Sequence, residues 1–420
     1  MFGERDPAGR VAIAAPGLSG SINLTGALVD DLTTNRHSNE QKSGPERIFS
    51  PAGTPAHHYA QLGWTGQGID LPSAATVWTA PAGAKLTQET PVTLSWTNAT
   101  GQTFAITYHI DQDYLITADA VMSNHGTAPV AVQPFALLSR TDKTASTSTW
   151  QLHSGPFGAF DSTVSFKPNY KDVLEASVVN NSGKPDWLGF TDIYWMSMLI
   201  PDAKVGAAAT SDFRALGHGT FLADVFYEQA VVAPGQTLTR TTRLFAGAKE
   251  SAVLDRYETA GIANFGLAID WGWFRWFEKP IFGLLKILFG LVGNFGVAII
   301  LLTLIVRGLM FPVAQKQFAS MAAMRAIQPK MKAIQERYKD DKEKLQQETM
   351  KLYKDEGVNP LAGCLPLVLQ IPVFFALYKV LILAVEMRHK PFVLWIKDLS
   401  APDPLHILNL FGLLPFTPPS

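Results

Sequence analysis

Residues 295–314, FGVAIILLTLIVRGLMFPVA, form an apolar run close to the length a helix needs to cross a bilayer, about 20 residues. One permanent cation, Arg307, stands inside the run rather than at its edge. A guanidinium near the middle of a spanning helix costs about 2.5–3.5 kcal/mol on insertion scales, so it requires a compensating environment. Two environments would serve. Water in a groove could solvate the charge, or the long side chain could snorkel back to lipid headgroups about one turn away. The residues alone leave both open.

The flanks extend the membrane reading. Upstream, DWGWFRWFEKPIFGLLKILFGLVG (270–293) crowds Trp271, Trp273, Phe274, Trp276 and Phe277 among Arg275, Glu278 and Lys279. Aromatics mixed with charges suit the headgroup zone, so this segment is expected as an amphipathic interfacial helix, with Trp271, Trp273 and Trp276 as anchors. A soluble core helix is the competing reading. Downstream, residues 315–357 turn charged. Met321, Met324, Ile327, Met331 and Ile334 recur at three- and four-residue spacing, Lys339-Asp340-Asp341-Lys342 reads as a tip, and Leu345, Leu352 and Tyr353 mark a return. This predicts a helical hairpin, although a solvated loop with a weak coiled-coil seam is physically adequate. Residues 358–385 read as a second span, interrupted by Pro366, Gln370, Pro372 and Lys379. Residues 386–420 return to charged, Pro-rich sequence as an outer loop.

Orientation follows from cations. Residues 313–358 hold ten Lys/Arg, whereas 256–294 and 386–404 hold four and three. The positive-inside rule then puts the hairpin in the cytoplasm and both flanks outside.

Residues 1–248 have a different chemistry, rich in Thr, Ser, Gly, Pro and Asn. Phe104, Ile106, Tyr108 and Ile110 alternate with Thr103, Ala105, Thr107 and His109, the period-2 signature of a half-buried strand. Asp111-Gln112-Asp113 is turn chemistry before Tyr114, Ile116 and Ala118, and Val92, Leu94 and Trp96 form a strand upstream. Further strands are expected at 130–138, 193–200, 219–227 and 237–245. Many short strands with Gly/Pro turns imply a large antiparallel β-sandwich. Residues 249–269 read as a linking helix and linker. The expected class is thus an α+β membrane protein: a sandwich, then an α-helical membrane region.

Several function classes are disfavoured. A formal net charge of −1 over 420 residues argues against a nucleic-acid binder held by a general basic field. The single cysteine, Cys364, excludes an internal disulfide framework. No histidine spacing suggests a metal site, and no Gly-Lys-Ser/Thr phosphate loop is present, so neither metal nor cofactor is expected. His109, His125, His153 and His218 with Glu228 could form a sugar-acting site in such a sandwich, but their spacing does not favour one. A membrane-anchored carbohydrate-binding or carbohydrate-acting protein and a transporter subunit are the two alternatives. A transporter would be expected to carry polar groups along both spans.

The run IVRGLMFPVAQKQFASMAAMRAIQPKMKAIQERYKDDKEKLQQETMKLYKDEGVNPLAGCLPLVLQIPVFFALYKVL (305–381), with Asp270-Trp271-Gly272-Trp273 and Val292-Gly293-Asn294, closely resembles the YidC family of membrane protein insertases. The sandwich resembles the periplasmic domain of the Gram-negative branch. The resemblance implies a non-enzymatic insertase and chaperone of the inner membrane, acting alone or with the Sec translocon. It implies that Arg307, Thr303 and Gln370 line a hydrophilic substrate groove, and that Ile371, Pro372 and Phe375 touch the apolar part of an incoming span. It also implies that the hairpin, here marked by Met321, Met324 and Asp340, receives substrate and ribosome. The partners implied are nascent membrane proteins, Sec translocon subunits, the ribosome and the lipid bilayer, without direct nucleic-acid recognition. An export anchor before residue 1 and three further spans after residue 420 are expected from the same resemblance, because MFGERDPAGRVAIAAPG has no apolar core of export-signal length.

Overall fold

The computed structural model describes residues 9–146, 152–202, 204, 208–272, 275–339, 341–357, 365–394 and 396–401. Two compact units divide the chain, Met1–Asp270 and Trp271–Ser420.

The first unit is built from an 11-stranded and an 8-stranded sheet. The alternation read at 103–110 becomes the strand Gln102–Ile110, with Phe104, Ile106 and Tyr108 fully buried and Thr103, Ala105 and Thr107 half-buried. It pairs antiparallel with Val92–Thr97 on one side and Leu115–Asn124 on the other. Thr237–Ala248 then lies between Leu115–Asn124 and Trp195–Pro201. In the larger sheet, Val130–Thr141 is flanked by His58–Gly66 and Thr220–Tyr227. Among the described residues one pairing departs from the antiparallel pattern: Arg10–Ala14 runs parallel to the two-residue strand Lys85–Leu86. The strand expected at 193–200 is present as Trp195–Pro201, whereas the strands before residue 67 and the others between 155 and 217 carry weaker alternation that the sequence reading does not reach. Nor does it reach the seven-residue helix α1 (Tyr170–Ala176), started by Asn169, whose side chain accepts from the Asp172 amide.

Two buried polar pairs stand out in this unit. The Arg140 guanidinium, 2 % exposed, donates to the Asp192 carboxylate at 2.6 Å, which also accepts from Ser154 Oγ and the Ser146 amide. Burying a charge without such partners would cost several kcal/mol, on the order of 3–5. His58 meets Ser197 Oγ at 2.9 Å, and burial, helped by the Arg140 charge, drives its imidazole pKa well below the usual range, so the ring is neutral.

Helix α2 (Ser251–Thr259) packs as part of this unit, with Val253, Leu254 and Tyr257 buried. The Tyr257 hydroxyl donates to Asp111 at 2.5 Å, and Arg256 and Arg36 each reach Asp113 at 2.6 Å. The stretch 249–269, read as a link from sequence, is therefore anchored to the sandwich through most of its length.

In the second unit, helix α3 (Arg275–Val292) buries Ile281, Phe282, Leu285 and Leu288 while Trp276, Ile287 and Leu291 face outward. Gly293 takes the left-handed conformation (φ +66°) that ends the helix, and Asn294 caps the next one by accepting from the Val297 amide at 3.1 Å. Phe289 and Phe295 stack across this turn at 3.8 Å. Helix α4 (Phe295–Arg337) then runs for 43 residues through Pro312 and Pro329. At 1.5 Å per residue it is about 64 Å long, twice the hydrocarbon thickness, so the apolar run and the first arm of the hairpin are one helix. It is long and apolar enough to cross a membrane. Helix α5 (Lys342–Asp355) returns along it, tied by Lys330 to Glu356 at 2.5 Å and by the Tyr353 hydroxyl to Met331 Sδ at 3.1 Å. Helix α6 (Leu365–Leu383) packs on both α3 and α4, and its Gln370–Leu383 portion is a shorter apolar helix.

Candidate functional site

Between α4 and α6 lies an open pocket of about 390 Å³, walled by Arg307, Met310, Phe311, Val313, Ala314, Gln317 and Gln370. The wall is a product of helical phase. Residues 307, 310, 314 and 317 recur at three- and four-residue steps and so form one stripe of α4. Continuity through Pro312 keeps Gln317 in phase with Arg307. Among the described residues, α6 contributes Gln370 to this wall. The arrangement is a cation with two primary amides in an otherwise apolar recess. Such a site can solvate or hold an anionic group, and its described wall residues include no nucleophile or general base.

Arg307 is exposed to this space. Among the described residues no carboxylate lies within ion-pair distance of it and no hydrogen-bond acceptor meets its guanidinium; its charge faces the ring of Phe374, 5.9 Å from the centroid. Thr303 is exposed one turn earlier on α4, but its hydroxyl donates back to the Ile299 carbonyl at 2.8 Å and it is not part of the pocket wall. Ile371 is exposed, whereas Pro372 and Phe375 are half-buried, and none of the three is part of that wall. Gln317 and Phe374 were missed. Both could have been found by carrying the helical stripe onward from Arg307 and from Gln370.

The remaining expected residues are dispersed. Met321 is exposed and Met324 half-buried on the α4 arm of the hairpin. Trp276 is 75 % exposed, while Trp271 is buried with its ring 5.5 Å from Phe282. Trp273 and Asp340 lie outside the described residues. In the sandwich, His109 is exposed and sits 3.8 Å from Asp119, and His153 meets the Pro156 carbonyl. No group of three or more His, Cys, Asp or Glu with metal-holding geometry occurs among the described residues.

A strand-rich unit followed by apolar helices around a cationic recess defines a membrane protein with a large extramembrane domain. Comparison with known proteins gives the family. Residues 10–284 match the YidC periplasmic domain, and residues 287–416 match the 60Kd inner membrane protein family. The membrane protein insertase YidC of Zymomonas mobilis is 46% identical over 98% of this chain and 71% of its own length. That of Rhizobium etli is 45% identical, over 98% of this chain and 70% of its own length. The chain belongs to the YidC family of inner-membrane protein insertases, which are not enzymes. A galactose mutarotase-like protein from Lactobacillus casei is similar at a TM-score of 0.41 with 10% identity, covering 57% of this chain and 100% of its own, and nothing of its activity transfers.

Proposed function

We propose that the recess between α4 and α6 is where this insertase receives the polar, acidic segments of nascent membrane proteins. The observation that carries this reading is the uncommitted guanidinium of Arg307 beside Gln370 and Gln317 in an open recess. A polar segment entering a bilayer loses several kcal/mol of hydration per uncompensated charge. A recess holding water and a cation shortens the dry path. At about 4 Å and an effective dielectric near 20, Arg307 and a carboxylate attract by roughly 4 kcal/mol before desolvation. The hold is transient, and partition of the substrate's own apolar span supplies the drive without nucleotide or metal.

Ile371, Pro372 and Phe375 follow Gln370 along α6 and would meet that apolar span. Thr303 would line the upper wall once its hydroxyl exchanges the Ile299 carbonyl for a substrate group. The cation count supports a cytoplasmic hairpin, with Met321 and Met324 offering adaptable contact to emerging chains or the ribosome, and with the sandwich and the loop after α6 on the periplasmic side. Sec translocon subunits are partners in this reading, and the exposed Trp276 would seat α3 at the lipid boundary. Growth complementation tests the central point: Arg307→Lys is expected to support growth far better than Arg307→Ala or Arg307→Glu. Equal growth of all three would leave Arg307 only a snorkelling role.

A further inference from the structure

The geometry points to Phe374 as the positioning residue that presents the Arg307 charge to acidic substrates, an inference that rests on the recess being the substrate site. Three observations meet here. The Phe374 ring lies 5.9 Å from the Arg307 guanidinium carbon, within cation–π range. Phe374 is 55 % exposed, a large ring left uncovered beside the recess instead of packed into the bundle. It follows Gln370 by four residues on α6, so amide and ring share one helical face opposite Arg307.

The chemistry explains why a ring suits this position better than a carboxylate. An ion pair would fix the guanidinium but neutralise it, and an arriving carboxylate would have to displace a competitor. The negative face of a ring attracts the cation while leaving its N–H donors, which lie in the guanidinium plane, open at the rim. The same attraction opposes snorkelling, because the side chain that leaves for the headgroups gives up the ring. Phe374 thereby tunes specificity for acidic over neutral polar segments without touching the substrate carboxylate itself. Leucine at this position would keep an apolar side chain of similar reach and lose the quadrupole. Tryptophan, the strongest cation–π partner, would keep it.

The test uses two model substrates that differ only in the translocated head, one bearing Asp/Glu and the other Asn/Gln at the same positions. Protease protection of the head in membrane vesicles reports insertion. Phe374→Leu is expected to lower the ratio of acidic-head to neutral-head insertion about fivefold, and Phe374→Trp to keep the wild-type ratio. In an Arg307→Ala background, Phe374→Leu should change the ratio no further. An unchanged ratio in Phe374→Leu, equal loss with Trp and Leu, or a further loss in the Arg307→Ala background would each overturn the positioning role. The Arg307→Ala ratio separates the two levels of the account. A ratio left at wild type by Arg307→Ala sinks the substrate-site reading itself, whereas a ratio lowered by Arg307→Ala and untouched by Phe374→Leu sinks only this inference.

Discussion

Seven arginines of the sandwich and Arg307 of the helical unit stand in opposite surroundings. In the sandwich, Arg10, Arg36, Arg47, Arg140, Arg214, Arg243 and Arg256 each have a carboxylate within ion-pair distance. In the helical unit, Arg307 has an aromatic ring and two amides around its recess and no carboxylate partner among the described residues. Those seven charges are paired where they stand, and the Arg307 charge is left available. The contrast teaches that the informative property of Arg307 is its lack of a commitment, more than its presence in an apolar helix.

The largest effect should come from breaking a committed pair. Asp192→Ala strips the buried Arg140 of its carboxylate and should cost about 3–5 kcal/mol, read as a shifted urea midpoint of the sandwich's tryptophan fluorescence. A near-neutral result would mean that the pair is not what holds that charge. The helical unit has its own tightly committed end. A Cβ on Gly296 would sit 2.1 Å from the Phe392 ring, and Asn294 Nδ2 donates to the Phe392 carbonyl at 2.7 Å, so ring and backbone cannot both yield. Gly296→Ala should therefore cost about 1–3 kcal/mol, seen as faster proteolysis of the loop after α6. Next in size is the uncommitted charge: Arg307→Ala should reduce insertion of an acidic-headed substrate about tenfold, equivalent to about 1.4 kcal/mol, without changing the unfolding midpoint of the sandwich.

The smallest expected effect sharpens the comparison from the acidic side. Asp212 and Asp224 face each other across neighbouring strands with Arg214 reaching both, at 2.5 and 3.1 Å. Burial, reinforced by the Asp212 charge, pushes the Asp224 pKa up to about 7. A carboxyl whose folded pKa lies above its unfolded value, about 3.9, lends stability that is complete below that value and lost as pH rises through about 7. Asp224→Asn should flatten this fall and gain on the order of 1 kcal/mol at pH 8 relative to pH 5. Glu250 works the other way. Burial raises its pKa, but hydrogen bonds from His37 and Tyr114 outweigh that and hold it below the usual carboxylate range, so its contribution is lost on acidification.

Much of this organisation is legible in the sequence because it rests on local periodicity. The alternation around Phe104–Ile110, the shift from Thr/Ser-rich to apolar composition, and a cation within an apolar run each depend on residues close together in the chain. What was illegible depends on distance or phase. The Arg140–Asp192 and Tyr257–Asp111 contacts join residues 52 and 146 positions apart, and no local pattern marks them. Gln317 enters the pocket wall because α4 continues through Pro312, where the change of composition suggested a division. Trp271 read like Trp276 in sequence, yet one is buried and the other exposed, since aromatic density does not say which way each ring turns.

The central claim is that the Arg307 position works through positive charge in a water-filled recess, and chemical restoration tests it most directly. In an Arg307→Cys, Cys364→Ser background, the thiol can be converted to either an aminoethyl or a sulfonatoethyl disulfide by water-soluble thiosulfonates. The account predicts that both reagents reach the thiol, that the cationic adduct recovers insertion of an acidic-headed substrate, and that the anionic adduct leaves it lost. Equal insertion with either adduct, or a thiol that neither reagent reaches, would contradict it.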